Sequence, residues 1–190
     1  MKKTINENDL RVIKTKENIK NTFNKMIIDM DYKNITVKEL TDRAKISRKT
    51  FYLHYETIDD LLKELQEEII DRFIKQDISY KNIDDIKKII KYFFESSVHM
   101  SKLNEKLICS GSYAQVYEEI NEAIMNHRAK KYKGVFSKNP YEDKLVFAYF
   151  ASNSTILYRQ WVKDGKKMSL NDLIKTATKI ICNGLSAFIK

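Results

Sequence analysis

The chain has 190 residues, 43% of them hydrophobic and 32% charged, with a net charge of +9, and this length allows one or two domains with a sizeable core. Four Gly and one Pro are too few for many short strands joined by tight turns, so we predict an all-α fold. No apolar run approaches the roughly 18 residues that span a bilayer, and the N-terminus lacks the apolar core of a signal peptide, so we expect a cytoplasmic protein with no membrane partner.

The first predicted helix runs from Asn8 to Met30. Its apolar residues recur at steps of three and four and predict a buried stripe of Ile19, Phe23, Met26, Ile27 and Met30. The helix belongs to the basic end of the chain, because residues 1–55 hold 13 Lys and Arg against 7 Asp and Glu, whereas the other 135 residues carry a net +3. This excess of positive charge is typical of a segment that contacts the phosphates of DNA. A helix lying on a membrane surface is the alternative, but we expect the stripe to pack against Val37, Leu40 and Phe51 of the same chain.

Residues 36–55 predict two short helices around a tight turn. Thr36 can cap the first helix and Glu39 can reciprocate, which is a capping box. Val37, Leu40 and Ala44 follow at i, i+3 and i+7 and form one apolar stripe. We therefore expect the first helix to begin after Thr36 and to pack on its neighbours along that stripe.

The second short helix combines an apolar inner face with a polar outer face. Ile46 fills the turn as an apolar plug, Ser47 caps the helix, and Phe51 and Tyr55, four residues apart, point inward. The outward-facing residues can hydrogen-bond to DNA phosphates and base edges. A helix-turn-helix is thus predicted, with the second helix in the DNA major groove. A solvated basic helix in an ordinary bundle is the alternative, which the agreement of caps, plug and polar face disfavours. The candidate DNA-binding residues are Thr36, Val37, Ser47, Arg48, Lys49, Thr50, Tyr52 and His54.

These residues resemble the TetR family of bacterial transcriptional regulators. The resemblance rests on Thr36-Val37, on the turn from Ala44 to Ser47, on Thr50-Phe51-Tyr52 with His54-Tyr55, and on Asp60-Leu61-Leu62. It covers residues 8 to 70 closely and the rest in layout. Departures are Lys45 in place of the usual turn glycine, Lys49 in place of a small residue, and Ile58 in place of a lysine. Lys45 strains the turn if a positive φ is required there.

Capping signals divide the rest of the chain into six further helices. Their predicted starts and ends are Thr57 with Asp60 to about Ser79, Asn82 to about Leu103, Asn104 to Cys109 with Gly111 as a C′ glycine, Ser112 with Gln115 to about Tyr132, Asn139-Pro140 to about Val162, and Ser169 with Asp172 to the end. Nine helices result, three in a DNA-binding domain of residues 1–56 and six in an effector-binding and dimerisation domain of residues 57–190.

The last helix carries a regular apolar stripe that must be covered. The resemblance implies a homodimer in which the last two helices pair with their copies, and a two-fold partner would place a second reading helix on a palindromic operator. Closure of the chain's own core is the alternative. The expected interface residues are Phe150, Leu157, Leu173, Ala177, Ile181, Gly184, Leu185 and Phe188.

The resemblance also implies a small-molecule effector in the body of the protein, whose binding tilts the helix that starts at Thr57 and releases the DNA. Aromatic and polar-tipped residues are the candidate walls of its pocket, although each is individually more typical of core: His99, Tyr113, Tyr117, His127, Phe147, Tyr158 and Trp161. The spacing of Tyr158, Trp161, Gly165, Ser169 and Leu173 resembles regulators of dihydroxyacetone kinase. That likeness leaves open a transcriptional activator or adaptor whose body binds a partner protein.

Enzymatic and metal-dependent functions find little support in the sequence. It contains no Gly-rich phosphate loop, no His-Glu-x-x-His and no Gly-x-Ser-x-Gly elbow. Cys109 and Cys182 are far apart and are interpreted as reduced packing residues, and neither His99 nor His127 has a second ligand at metal spacing. We expect a DNA-binding repressor that is not an enzyme and needs no cofactor or metal.

Overall fold

The computed structural model describes residues 9–76, 83–99 and 102–185. These residues form nine α-helices and two short 3-10 turns, with no strand among them, which confirms the predicted all-α fold. The helices are α1 (Leu10–Asp29), α2 (Val37–Ala44), α3 (Arg48–His54), α4 (Ile58–Ile74), α5 (Ile83–His99), α6 (Lys102–Cys109), α7 (Ala114–Lys131), α8 (Pro140–Lys163) and α9 (Leu170–Leu185). No helix in the described part of the chain is both long and apolar enough to cross a membrane.

The chain divides into two compact units, Met1–Glu68 and Ile69–Lys190. Helix α4 begins in the first unit and ends in the second. The predicted boundary between the DNA-binding domain and the effector-binding domain, at residues 56 and 57, lies just before α4 and stays a prediction.

The first unit is built around the apolar stripe of α1. Ile19, Phe23, Met26 and Ile27 are buried, as are Leu40 of α2 and Phe51 of α3, whereas Met30 is half-buried. Lys20 of α1 forms ion pairs with Glu64, at 3.2 Å, and with Glu68, both on α4. The stripe therefore packs inside the unit, as the periodicity of the sequence predicted.

Most of the predicted helix caps are present. Backbone N–H groups donate to the hydroxyls of Thr36, Ser47, Thr57 and Ser169 and to the Asn139 side chain at 3.0–3.1 Å. Asp60 reciprocates at the start of α4, where its carboxylate accepts from Thr57 N at 2.8 Å. At α2 the box is only half formed, because the Glu39 carboxylate accepts from Arg43 Nε at 2.8 Å.

Four sequence expectations about helix ends were wrong. Helix α4 ends at Ile74, short of Ser79, which lies outside the described residues. Leu103 is in α6, so the preceding helix does not extend to it. Gly111 opens a 3-10 turn and does not act as a left-handed C′ residue, and α7 is preceded by Tyr113 in place of a Ser112 cap. The end of α6 just before this turn is held by α8, because the Arg159 Nε donates to Ile108 O at 2.6 Å.

The core of the second unit lies between α5, α7, α8 and α9. Its buried members include Ile90, Phe94, Phe147, Tyr158, Leu173, Ala177 and Ile181. The α9 stripe thus closes the chain's own core. Leu173, Ala177 and Ile181 are at most 6% exposed, so their assignment to a dimer interface is corrected: they have almost no surface to offer a second copy.

A buried carboxylate organises the loop between α7 and α8. Asp143 is 1% exposed and accepts from the backbone N–H groups of Gly134 at 2.5 Å and of Phe136 and Ser137 at 3.1 Å each. Because the carboxylate satisfies three backbone donors at once, it fixes the path of the loop. The sequence analysis did not identify this role.

Candidate functional site

Helix α3 presents polar groups on the side opposite its core contacts. Its Ser47 cap accepts from Thr50 N at 3.0 Å, and the two hydroxyls lie 2.8 Å apart. Phe51 and Tyr55 are buried with ring centroids 5.7 Å apart, and this contact fixes the rotation of the helix. Its other residues consequently face outward or toward the edge of the unit.

The eight candidate DNA-binding residues lie at the start of α2 and along α3. Thr36, Ser47, Arg48, Lys49 and Tyr52 are exposed, and Val37, Thr50 and His54 are half-buried. The hydroxyls of Thr36 and Ser47 accept from the backbone. The Thr36 proton can be donated to a phosphate oxygen, whereas the Ser47 hydroxyl also shares a hydrogen bond with that of Thr50. The structure therefore leaves every candidate with accessible surface, although a DNA contact for each remains a prediction.

The turn between α2 and α3 has a left-handed residue. Lys45 has φ 54° and ψ 44°, its N–H donates to Asp42 O at 3.3 Å, and Ile46 N donates to Thr41 O at 3.0 Å. This pair of bonds is a Schellman motif, in which glycine is the preferred left-handed residue. The Asn18 side chain also donates to Ala44 O at 2.8 Å and ties the turn to α1. Lys45 thus occupies the strained backbone that its replacement of a glycine suggested.

The basic groups of the turn and of α3 are available to an anion. Arg43 is already engaged, because it pairs with Glu39 at 2.8 Å and with Asp29 at 3.6 Å. Lys45, Arg48 and Lys49 are exposed and have no ion pair within residues 9–76, 83–99 and 102–185. A phosphate backbone could therefore approach these three cations without displacing a carboxylate.

A cavity in the second unit is lined by the end of α4 and by α5, α6, α7 and α8. Its free volume is about 50 Å³, which is room for a few water molecules. Most of the lining is apolar and includes Ile69, Phe73, Ile89, Phe93, Ile124 and Phe150. The composition of this lining is typical of a small-molecule site, and a ligand with a largely apolar body would have to displace lining side chains to enter.

Five non-aromatic polar side chains interrupt this apolar wall: Ser97, Asn104, Asn121, Arg128 and Ser154. Ser154 is fully buried, and its hydroxyl has no hydrogen-bond partner among the described residues. Arg128 is 9% exposed and brings a positive charge to the lining. None of the five was predicted from the sequence, because a single polar residue in an apolar helical pattern gives no signal before the packing is known.

The predicted ligand-binding residues are dispersed. Tyr117 lines the cavity, with its hydroxyl 3.0 Å from Thr155 Oγ1, and Phe147 lines a more open groove between α7 and α8. Tyr113, Tyr158 and Trp161 are buried away from the cavity. His127 is exposed, and the side chain of His99 lies outside the described part of the structure.

Two of these aromatic residues hold helices together. Tyr158 donates to Ser97 O at 3.1 Å, and burial raises the pKa of its hydroxyl, which therefore stays protonated. Trp161 Nε1 donates to Met168 O at 2.8 Å. We therefore correct Tyr158 and Trp161 to core residues of the second unit.

The residues predicted to form the dimer interface have different surroundings in the structure. Phe150 lines the cavity and Leu157 packs against the core, while Gly184 is exposed. The side chain of Leu185, and Phe188 entirely, lie outside the described residues. A different apolar face is open on α8, where Tyr141, Leu145, Tyr149 and Ile156 are 74%, 69%, 36% and 60% exposed. Gly184 of α9 touches this face, since a side chain there would collide with the Tyr149 hydroxyl.

The two cysteines differ in their surroundings. Cys182 is buried, in agreement with a packing role, but Cys109 is exposed, so that role is wrong for Cys109. The pKa of both thiols is raised, at Cys182 by burial and at Cys109 by the partial desolvation of its sulfur and by nearby Glu105, which keeps them protonated and poorly nucleophilic.

The helix-turn-helix segment matches a known family. Residues 24–65 match the sequence model described as "Bacterial regulatory proteins, tetR family". No curated protein sequence matches the chain significantly.

Solved structures with the same fold cover nearly the whole chain. A TetR transcriptional regulator from Streptococcus agalactiae 2603V is 23% identical with a TM-score of 0.64, over 91% of this chain and 96% of that one. FadR from Bacillus subtilis, in complex with stearoyl-CoA, is 16% identical with a TM-score of 0.63, over 87% and 96%. The dihydroxyacetone kinase operon activator DhaS is 18% identical with a TM-score of 0.52, over 94% and 99%.

At these identities the likeness establishes a shared fold. The helix-turn-helix of residues 36–55 therefore lies in a segment that matches the TetR family of bacterial regulatory proteins, and the chain around it has the all-α fold of solved TetR-type regulators.

Proposed function

We propose that the protein binds a palindromic DNA operator as a homodimer, represses transcription there, and is released by a small molecule held in the body cavity. The observation that carries the proposal is α3, whose exposed Arg48, Lys49 and Tyr52 stand beside the exposed caps of both helices. In a helix-turn-helix, the start of the second helix meets the base edges while the first helix crosses the backbone. Arg48 and Lys49 therefore read bases, and the Thr36 and Ser47 hydroxyls hold phosphates.

Dimerisation is part of this proposal because one α3 reads only a few base pairs. A two-fold partner supplies a second α3 about one helical turn away along the DNA, roughly 34–36 Å. The exposed apolar face of α8 favours such a partner, since contiguous exposed apolar surface marks interaction sites. A two-fold axis would bring the same face of a second copy against it.

The effector proposal rests on the cavity of the second unit. Its apolar lining and its few polar groups favour a molecule with a mainly apolar body and one or two polar groups. The unpartnered Ser154 hydroxyl is a ready hydrogen-bond donor for such a group. FadR, which has this fold, binds stearoyl-CoA, and we propose an effector of the same general character, apolar with a polar head.

Release follows from the position of α4. Ile69 and Phe73, near its C-terminal end, line the cavity, and the same helix begins in the unit that holds α3. A ligand that displaces these two side chains moves α4. A coupling of about 1–3 kcal/mol, typical of allosteric proteins, would change operator affinity by about five- to 150-fold.

A second candidate function is an activator or adaptor whose body binds a protein. DhaS, an operon activator, shares the fold. The residues behind the loose resemblance have structural roles here: Trp161 bonds to Met168, Gly165 has φ 73°, and Ser169 caps α9. The cavity and these contacts favour the small-molecule alternative.

The DNA proposal is tested by titrating the purified protein onto the inverted repeat upstream of the neighbouring genes and onto a shuffled duplex, at several salt concentrations. We expect tighter binding to the repeat and a steep loss of affinity with salt. Lys49→Ala should weaken binding to the repeat more than to the shuffled duplex. Lys25→Ala removes the same charge on the exposed side of α1 and should leave the ratio of the two affinities unchanged. A dimer without DNA binding at low salt would favour the adaptor.

The effector proposal is tested by filling the cavity. Ser154→Leu puts an apolar side chain into the space where the unpartnered hydroxyl lies. We expect this variant to bind the operator but to lose release by any compound that releases the wild type, while Gln115→Leu, at an exposed site on α7, responds normally. A full response of the Ser154→Leu variant would place the effector elsewhere.

A further inference from the structure

The turn of the helix-turn-helix holds a lysine where its own backbone favours glycine. Among the described residues, Lys45 and Lys166 are the two non-glycine residues with positive φ, at 54° and 57°. Such a conformation crowds the Cβ atom of an L-residue, whereas glycine adopts it freely. The Schellman bonds of the turn require the left-handed backbone whatever residue stands there. Lysine at position 45 therefore costs stability that glycine would not.

The two lysines differ in what their side chains do. Lys166 pairs with Glu105 at 2.5 Å and lies over the Trp161 ring, 5.7 Å from its centroid. Its side chain thus contributes contacts within the second unit. Lys45 is exposed, and its ammonium has no hydrogen bond or ion pair in the part of the chain that the structure describes. Nothing within the described fold offsets the strain at Lys45.

The position of Lys45 indicates which contact compensates for the strain of its backbone. It lies two residues before Ser47, the cap of α3, and two residues of chain span at most about 7 Å. The start of the second helix enters the groove, and the first helix crosses the backbone, so the joint between them lies beside the phosphates that flank the groove. A flexible lysine there can reach a phosphate oxygen but carries no base code.

We infer that Lys45 is a DNA-phosphate contact, which strengthens binding to any sequence while straining the turn that carries it. This inference rests on the DNA binding proposed above and adds a residue to it. It assigns Lys45 a role different from that of Lys49, because a phosphate contact raises affinity for operator and unrelated DNA alike.

The test is Lys45→Gly, measured by thermal melting and by fluorescence anisotropy on the operator and on a random-sequence duplex over a range of salt. We expect the melting temperature to rise by about 2–4 °C as the strain is relieved. Affinity for both duplexes should fall by about tenfold for each lost charged hydrogen bond, or about 100-fold for a dimer that loses two. The slope of log affinity against log salt should become shallower by about two, one contact for each protomer of a dimer.

Three further variants separate the contact from general effects. Lys45→Arg keeps the charge and should keep the affinity. Lys45→Asn tolerates the left-handed backbone without the charge, and should lose affinity as Lys45→Gly does. Lys166→Gly is the matched control, because it removes one positive charge and one left-handed lysine outside the helix-turn-helix, and its DNA affinity and salt slope should not change.

Two outcomes would overturn the inference. One is an unchanged affinity and salt slope for Lys45→Gly, and the other is an equal loss for Lys166→Gly, which would reduce the effect to net charge. If the wild type binds neither duplex at low salt, the proposed function fails instead, and the melting comparison still reports the strain at Lys45.

Discussion

Neighbouring aromatic residues of α3 have opposite surroundings. Phe51 is fully buried, whereas Tyr52 is 55% exposed, although their ring centroids are only 5.5 Å apart. Consecutive residues of a helix point about 100° apart, so one faces the core and the other the solvent. Stability and DNA binding can therefore be altered separately at adjacent positions.

Phe51→Ala should lower the free energy of unfolding by about 3–5 kcal/mol, because it leaves a cavity in the core of the first unit. Tyr52→Ala should change that free energy by less than about 0.5 kcal/mol but weaken operator binding. Urea unfolding and anisotropy titration of both variants provide the check. Equal stability of Phe51→Ala and wild type would contradict the packing described for α3.

At the residue scale, the sequence predicted the helix-turn-helix well because each role there has a local signal. Caps, an apolar plug and alternating faces place Thr36, Ser47 and Phe51 without tertiary information. Ser154 and Arg128 of the body cavity have no such signal, because their surroundings come from four other helices. Aromatic character was a poor guide to the cavity, as Tyr158 and Trp161 show.

Helix starts were predictable where a side chain caps the helix. Asn139, Thr57 and Ser169 confirm this for α8, α4 and α9. The prediction failed at the start of α7, where Tyr113 makes no side-chain cap bond. A helix whose end is fixed by tertiary contacts has no capping residue to reveal it.

The loop between α7 and α8 depends on one carboxylate, and Asp143→Ala is expected to show this dependence. Loss of the acceptor leaves three partly buried N–H groups without their bond, which should reduce stability by about 1–3 kcal/mol. Thermal melting checks the prediction, since this loss corresponds to a fall of at least about 2 °C.

Glu142→Ala is the matched control for that loop, because it removes the same charge one residue earlier. Its carboxylate accepts only a long bond of 3.5 Å from Asn139, so we expect a smaller decrease. Equal decreases for the two variants would mean that charge, and not the bonds to the loop, explains the effect.

At the scale of the whole molecule, the sequence of an apolar stripe does not show whether helices of the same chain or a second copy cover it. The period of α9 correctly gave an apolar face, but α5 and α8 of the same chain cover Leu173, Ala177 and Ile181. The exposed face of α8, formed by Tyr141, Leu145 and Tyr149, was not predicted from the sequence. Only the packing of the second unit distinguishes these two faces.

A dimer formed through α8 should be disrupted by Leu145→Glu, which places a charge on the exposed apolar face of each copy. We expect dimerisation to weaken by at least about 30-fold, or about 2 kcal/mol, and operator affinity to fall with it. Light scattering measures the mass and circular dichroism the helix content, which should stay unchanged because Leu145 is 69% exposed.

Val135→Glu tests whether any exposed apolar residue of the second unit would behave in the same way. Val135 is 37% exposed but lies in the loop before α8, so the variant should remain dimeric. A dimer that persists in both variants would mean that the two-fold contact uses another surface.

The cations of the helix-turn-helix that lack ion pairs also affect how the operator is found. The DNA contacts proposed for Lys45, Arg48 and Lys49 would include attraction to any duplex, and such sequence-independent attraction lets a protein slide and hop along DNA. We therefore expect a search along the chromosome in place of free diffusion to the operator. Unrelated DNA, by the same attraction, retains part of the protein, so the amount of regulator that a cell needs is set by its whole genome as well as by one site.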